Sequence, residues 1–339
     1  MIRLALPVAI FLSAVLPARA EVYELPPEGF DVIGALSSVT ARYEDTLVDI
    51  ARSHGLGYQD IVRANPDVNV WVPGEGTEVR LPTRFVLPPG PREGLVLNLA
   101  EYRMYYFPKA EKDQPAYVYT DPISIGRMDW ETPLGQTRIT AMAKDPAWYP
   151  PQSVRDEHAA DGDPLPRIVP PGPDNPLGTR ALRLGIPGYL IHGTNRPAGV
   201  GMRVSHGCIR MFPEDIEFVF QHVRVNVPVR IINAPVKLGW DGEELVAEIH
   251  PLLESSQKSL VEGSPQQVEK LDADTEALDV TEPSKDPLTQ VTEQFITVTS
   301  ERAGELDWDA IELLVERSDG IPETVGTSIK NAATSAAFE

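Results

Sequence analysis

The chain has 339 residues, 42% of them hydrophobic and 24% charged, and carries a formal net charge of −20. This suits globular domains with a less ordered part, and the acidity argues against nucleic-acid binding, which uses basic patches, and disfavours adsorption to anionic lipid. A single cysteine, Cys208, excludes an intramolecular disulfide.

Residues 1–20 read as a secretory signal. Arg3 gives a short positive start, Leu4 to Leu16 is almost wholly apolar, and Ala18-Arg19-Ala20 offers a small-x-small cleavage pattern. The apolar run is short for a bilayer span. The mature chain is therefore expected to begin near Glu21, outside the cytoplasm, with no transmembrane segment after cleavage.

Residues 38–84 predict a small βααβ module. Asp45-Thr46 is placed to cap a helix with Leu47, Ile50 and Ala51 on one face and Gly55 at its end. A second helix over 58–64 buries Ile61 and Val62 and stops at Asn65-Pro66. Strands are expected over 38–43 and 78–82. The stretch YEDTLVDIARSHGLGYQDIVRANPDVNVWVPGEGTEVRLP resembles the LysM domain, which implies affinity for N-acetylglucosamine-containing glycan strands. Glu44 stands where that family usually has Gly. The plainer alternative is a small fold that packs on its neighbour and binds no sugar.

Pro82 to Pro91 reads as a semi-rigid linker. A second domain over 92–234 is predicted to be mainly β, an antiparallel sandwich or barrel. Leu95–Leu99 and Tyr102–Phe107 form a hairpin, and short strands follow over 116–119, 123–125 and 137–141. Residues 142–180 are proline-rich, without evident strands, and long enough to be a functional wall or lid. Tyr189–Ile191 is the strand expected to deliver His192. Pro213–Val223 reads as a helix with Ile216, Val219 and Phe220 inward, and Pro228–Ile232 as the closing strand. Residues 254–339 hold 19 acidic and 6 basic residues, a net of −13, and are predicted to be a largely disordered acidic tail. Trp308–Arg317 within it has the pattern of a short amphipathic helix.

The chemistry concentrates in His192 to Met211, HGTNRPAGVGMRVSHGCIRM. An unpaired thiol in an exported protein is either buried or used. Here two imidazoles, His192 and His206, and one cation, Arg210, lie near it in sequence. They are expected to favour the thiolate, as in a Cys–His acyl-transfer site. Zinc is the competing use of His192, His206 and Cys208, but one residue between His206 and Cys208 is tight for a zinc motif and only three ligands are in sight.

HGTN followed by SHGCIRM, with twelve residues between His192 and Ser205, resembles the signature of the L,D-transpeptidases with a YkuD-type catalytic domain. Thr132-Pro133-Leu134-Gly135 and Gly172 to Gly178 also recur in that family. The resemblance implies Cys208 as nucleophile, His192 as general base and acid, and the Gly193 carbonyl as the group that orients the imidazole. Ser205, His206 and Gly207 take supporting and oxyanion roles, while Thr194, Asn195 and Arg210 are candidates for substrate binding. Arg210 is equally a candidate brace for the loop. The implied donor is a peptidoglycan tetrapeptide stem. The implied acceptor is a second stem's diamino acid, an outer-membrane lipoprotein lysine or a free D-amino acid, in the periplasm, with no cofactor and no metal. Three readings stay beside it: a hydrolase on the same scaffold, a non-enzymatic wall-binding protein, and another Cys–His enzyme such as a sortase.

Overall fold

The computed structural model describes residues 21–110, 112, 114–254, 256–257 and 285–329. The expected signal segment, 1–20, lies outside the described residues. Three short strands come first among the described residues: β1 (Glu21–Glu24), β2 (Val32–Gly34) and β3 (Ser37–Thr40). Helix α1 (Leu47–Ser53) starts where its capping chemistry dictates. Thr46 Oγ1 accepts from the Asp49 amide at 3.1 Å, and the Asp49 carboxylate accepts from the Thr46 amide. Helix α2 (Tyr58–Ala64) ends at Asn65. The buried Asn65 side chain donates to Ile61 O and Arg80 O and accepts from the Arg80 amide, which ties α2 to β4 (Glu78–Leu81). Strands β3 and β4 pair antiparallel, which completes a βααβ unit around Leu47, Ile50, Leu56 and Ile61.

The expected linker is in part a strand. β5 (Arg84–Val86) pairs with β2, and Phe85, Val86 and Leu87 are buried. Three consecutive apolar residues win over the flanking prolines, which stay outside the ladder.

The second region supplies β6 (Gly94–Asn98), β7 (Arg103–Phe107), β8 (Tyr117–Pro122), β9 (Ile125–Gly126) and β10 (Gly135–Lys144). Then come α3 (Gln152–Ala160), β11 (Arg180–Leu184), β12 (Leu190–His192), β13 (Arg203–Ser205) and β14 (Ile209–Arg210). Helix α4 (Pro213–His222) and β15 (Pro228–Ile232) follow. Nine strands form one sheet in the order β1-β8-β7-β6-β15-β10-β11-β12-β14. The chain is mainly β, as the sequence predicts, and most of these pairs are antiparallel. Two are parallel: β6 with β15, and β12 with β14. β15 therefore does not close the sheet at an edge but fills its middle. Ile139, Leu182, Ile191, Ile209, Ile216 and Val219 build the core beneath the candidate site.

Two further strands, β16 (Val236–Asp241) and β17 (Glu244–Ile249), form a hairpin that the sequence reading does not anticipate. The expectation of a largely disordered tail is corrected for 285–329. Helix α5 (Pro287–Val298), β18 (Gly304–Leu306), α6 (Trp308–Arg317) and β19 (Glu323–Ser328) fold onto that hairpin. The sheet order is β16-β17-β19-β18, and Val291, Ile311, Leu314 and Val325 are buried against Leu245 and Ile249. Acidic composition describes the outer faces of these elements; their apolar residues are few but line up inward. The amphipathic helix expected at Trp308–Arg317 is α6.

A buried ionic knot joins the hairpin to the rest. Lys237 Nζ bonds Glu101, and Glu248 at 2.8 Å; His250 bonds Glu248 at 2.7 Å. Glu248 also accepts from the Val86 amide at 2.7 Å, so the knot reaches β5. Breaking one member would strand a buried charge.

Candidate active site

β12 and β14 carry the site. Their parallel register sets Ile191 against Ile209 and His192 against Arg210. Both isoleucines point into the core. Side chains alternate along a strand, so His192 and Arg210 share the opposite face. Cys208 immediately precedes β14, and the Arg210 charge reaches both Cys208 and His192. The edge is held by further backbone bonds: Met211 N–H donates to His192 O at 2.9 Å, and Ser124 and Arg210 exchange amide bonds at 2.8 and 3.1 Å.

His192 is buried. Its Nδ1 lies 2.6 Å from Gly193 O. A carbonyl can only accept, so Nδ1 carries the proton and Nε2 holds the free lone pair. Burial, reinforced by the Arg210 charge, pushes the imidazole pKa down to about 3. Cys208 is half-buried, and its thiol lies 3.7 Å from Gly188 O. Burial raises the thiol pKa above its ordinary value, against the opposing pull of the Leu190 backbone amide and Arg210. This reverses the expectation that neighbouring cations favour the thiolate: desolvation is the larger effect.

The loop before Cys208 is fixed from several sides. Gly207 has φ +97°, and a Cβ there would lie 2.8 Å from the Tyr189 ring, so both the turn and the packing require glycine. Thr132 Oγ1 donates to Gly207 O at 2.8 Å, and Ser205 Oγ donates to Cys208 O. Ser205 and Gly207 therefore brace the loop. His206 does not meet Cys208 in a hydrogen bond. Its Nε2 pairs with Glu157 at 3.1 Å, its ring stands edge-on to Trp130, and Glu157 is also paired with Arg127. Glu157 belongs to α3, so the 142–180 connection contains a helix and packs against the loop that carries Cys208. The zinc set is not assembled: among the described residues, the one group of three metal-capable ligand atoms within 4.8 Å is Glu101, Glu248 and His250, in the knot that Lys237 occupies.

The remaining sequence candidates divide. Thr194 is buried, and its Oγ1 accepts from the Arg196 amide at 3.0 Å. Asn195 is exposed and donates to Asp174 O at 3.2 Å, which ties it to the Gly172–Gly178 loop. Both act on loop shape in this structure. Arg210 is different. Among the described residues its Nε is buried without a hydrogen-bond partner, and burial, with Arg196 and Arg127, depresses its pKa against the opposing pull of Cys208. A guanidinium so placed is suited to an incoming carboxylate. Sequence spacing misses Ser124, Thr132, Tyr189 and Glu157. Only Thr132 carried a signal, in its Thr-Pro-Leu-Gly motif.

Known proteins resemble this chain in sequence. The family model of the YkuD-type L,D-transpeptidase catalytic domain matches residues 92–231. "Probable L,D-transpeptidase YcfS" of Escherichia coli K12 is 38% identical over 253 residues, covering 73% of this chain and 78% of the relative. YbiS of the same strain is 38% identical over 240 residues, 69% and 77% of the two chains. ErfK/SrfK of Salmonella typhimurium is 39% identical over 235 residues, 68% and 74%. A solved structure, L,D-transpeptidase 3 from Mycobacterium tuberculosis with a faropenem-derived adduct, is 18% identical and covers 46% of this chain and 64% of its own, with a TM-score of 0.30. That last likeness adds nothing to the sequence relationship.

Proposed function

This chain belongs to the L,D-transpeptidase family, and we propose that Cys208, His192 and Arg210 carry its reaction on peptidoglycan stem peptides. The observation that carries the reading is the locked tautomer of His192, whose Nε2 lone pair is left free on β12, the strand paired with the one that Cys208 leads into.

In the proposed cycle the Cys208 thiol gives its proton to His192 Nε2 as sulfur attacks the carbonyl at the L-centre of the third-residue diamino acid. Backbone amides at Gly207 and Cys208 hold the tetrahedral oxyanion. Collapse breaks the amide bond, and the proton on His192 passes to the departing D-alanine amine. A thioester remains. An acceptor amine then attacks it, loses a proton to His192, and the proton returns to sulfur as the new amide forms. The Gly193 carbonyl keeps the ring aimed throughout, and stabilises the imidazolium when it forms. Arg210 pairs with a substrate carboxylate.

The acceptor is another stem's diamino acid, a lipoprotein lysine or a D-amino acid, and the enzyme works in the periplasm. The 38–84 unit is proposed to be a LysM-like glycan binder. Tyr43 and Trp71, 83% and 61% exposed, stand ready to stack on sugar rings. Mass spectrometry of products from a purified tetrapeptide stem with competing amines tests the reading. Amine-linked product with loss of D-alanine supports transfer. Free tripeptide alone makes the protein a hydrolase, and a Cys208→Ala variant with full activity removes the nucleophile assignment.

A further inference from the structure

The βααβ module grips the loop that carries Cys208 at both of its ends. Upstream of the cysteine, the Tyr58 amide donates to Val200 O at 2.9 Å. Gly57 and Gly201 meet backbone to backbone: a Cβ on Gly57 would lie 2.8 Å from Gly201 Cα. Downstream, Arg52 forms a two-pronged pair with Glu214 at 2.7 and 2.8 Å and lies over the Phe212 ring. The segment between these two anchors, 201–212, contains Ser205, Gly207, Cys208 and Arg210. The gripping surface is itself immobilised. The buried Arg103 of β7 donates to Gly55 O at 3.1 Å and to Asp60 at 2.9 Å, which fixes the turn between α1 and α2 on the catalytic sheet.

A module that only concentrates the enzyme on glycan needs a tether, not two contacts flanking the nucleophile. We propose that the module is a positioning element of the active site, with Gly57 and Arg52 as positioning residues that act on Cys208 through Gly201 and Glu214. The inference rests on Cys208 being the nucleophile. Misplacement of a reacting group by about 1 Å costs up to ~100-fold in rate, so a loop clamp of this kind reads out in turnover.

Gly57→Ser is the sharpest probe. Gly57 has φ −89°, so the substitution imposes no backbone strain, and serine keeps helix-capping ability. Its Cβ must push Gly201 away. Arg52→Gln releases the other anchor and serves alone if Gly57→Ser fails to fold. Both are assayed in the full chain with a soluble tetrapeptide stem free of glycan, alongside the pH profile of Cys208 carboxamidomethylation. The expected result is a fall in kcat of about 10-fold or more, KM within about 2-fold, and a displaced alkylation profile. Wild-type kcat and alkylation with the soluble stem overturn the inference, including the case where only activity on intact glycan strands falls, which makes the module a tether. Cys208→Ala separates the two claims: if that variant still transfers, the nucleophile assignment fails first.

Discussion

Arg210 stands directly opposite His192 across the parallel β12–β14 pair. Burial, with the Arg210 charge second, holds the imidazole pKa near 3, while burial of Cys208 keeps its thiol above the ordinary range. The resting pair is thus neutral imidazole and neutral thiol at neutral pH, not an ion pair. Carboxamidomethylation of Cys208 in the free protein is expected to climb with pH from about 6 to 9, without the low-pH plateau of an imidazolium-paired thiolate. A plateau reached below about pH 7 would contradict this picture.

The same guanidinium should select substrates by charge. Hydrogen bonds to a charged group contribute about 1.5–3 kcal/mol, so Arg210→Gln is expected to lower kcat/KM by roughly 10- to 100-fold for a stem whose diamino acid has a free carboxylate. With an amidated diamino acid the loss should be much smaller. Equal losses on both substrates would make Arg210 a brace for the loop and nothing more.

Where the fold is local, the residues announce it. Thr46 states the start of α1 and Asn65 the end of α2, and the SHGC stretch marks the candidate site. What pattern reading misses depends on long-range pairing or on burial. β5 hides among prolines because its partner, β2, is some fifty residues earlier. Helix α3 buries only Val154, so it has no apolar stripe to detect, yet its Glu157 holds His206. The parallel insertion of β15 beside β6 joins segments more than a hundred residues apart. The direction of the Cys208 shift follows from desolvation, which spacing along the chain does not encode.

Two buried carboxylates beneath the module junction give a stability prediction. Neither oxygen of Asp121 has a hydrogen-bond partner among the described residues, and burial raises its pKa to about 7; Asp215 is raised by burial and by Asp121. A carboxyl that holds its proton more tightly when folded favours the fold at low pH. That contribution fades as pH rises from about 4 through about 7. Asp121→Asn removes the dependence. Relative to wild type, the variant's urea midpoint is expected to be higher at about pH 8 than at about pH 5. The same offset at both values would show that Asp121 does not titrate in this range.

The folded unit formed by 285–329 is open to a direct test. Ile311 on α6 is fully buried beside Leu314, Val291 and the β16–β17 hairpin. Truncating a buried isoleucine to alanine removes its transfer free energy and leaves a cavity, at a cost of about 2–5 kcal/mol. Ile311→Ala is therefore expected to destabilise this unit by that amount, seen as a lower urea midpoint and faster amide exchange along β17 and β19. Leu313, on the exposed side of the same helix, is the control, and Leu313→Ala should change little. If both substitutions are silent, the acidic segment is not packed on the hairpin, and the composition of the tail would be the better guide to its state.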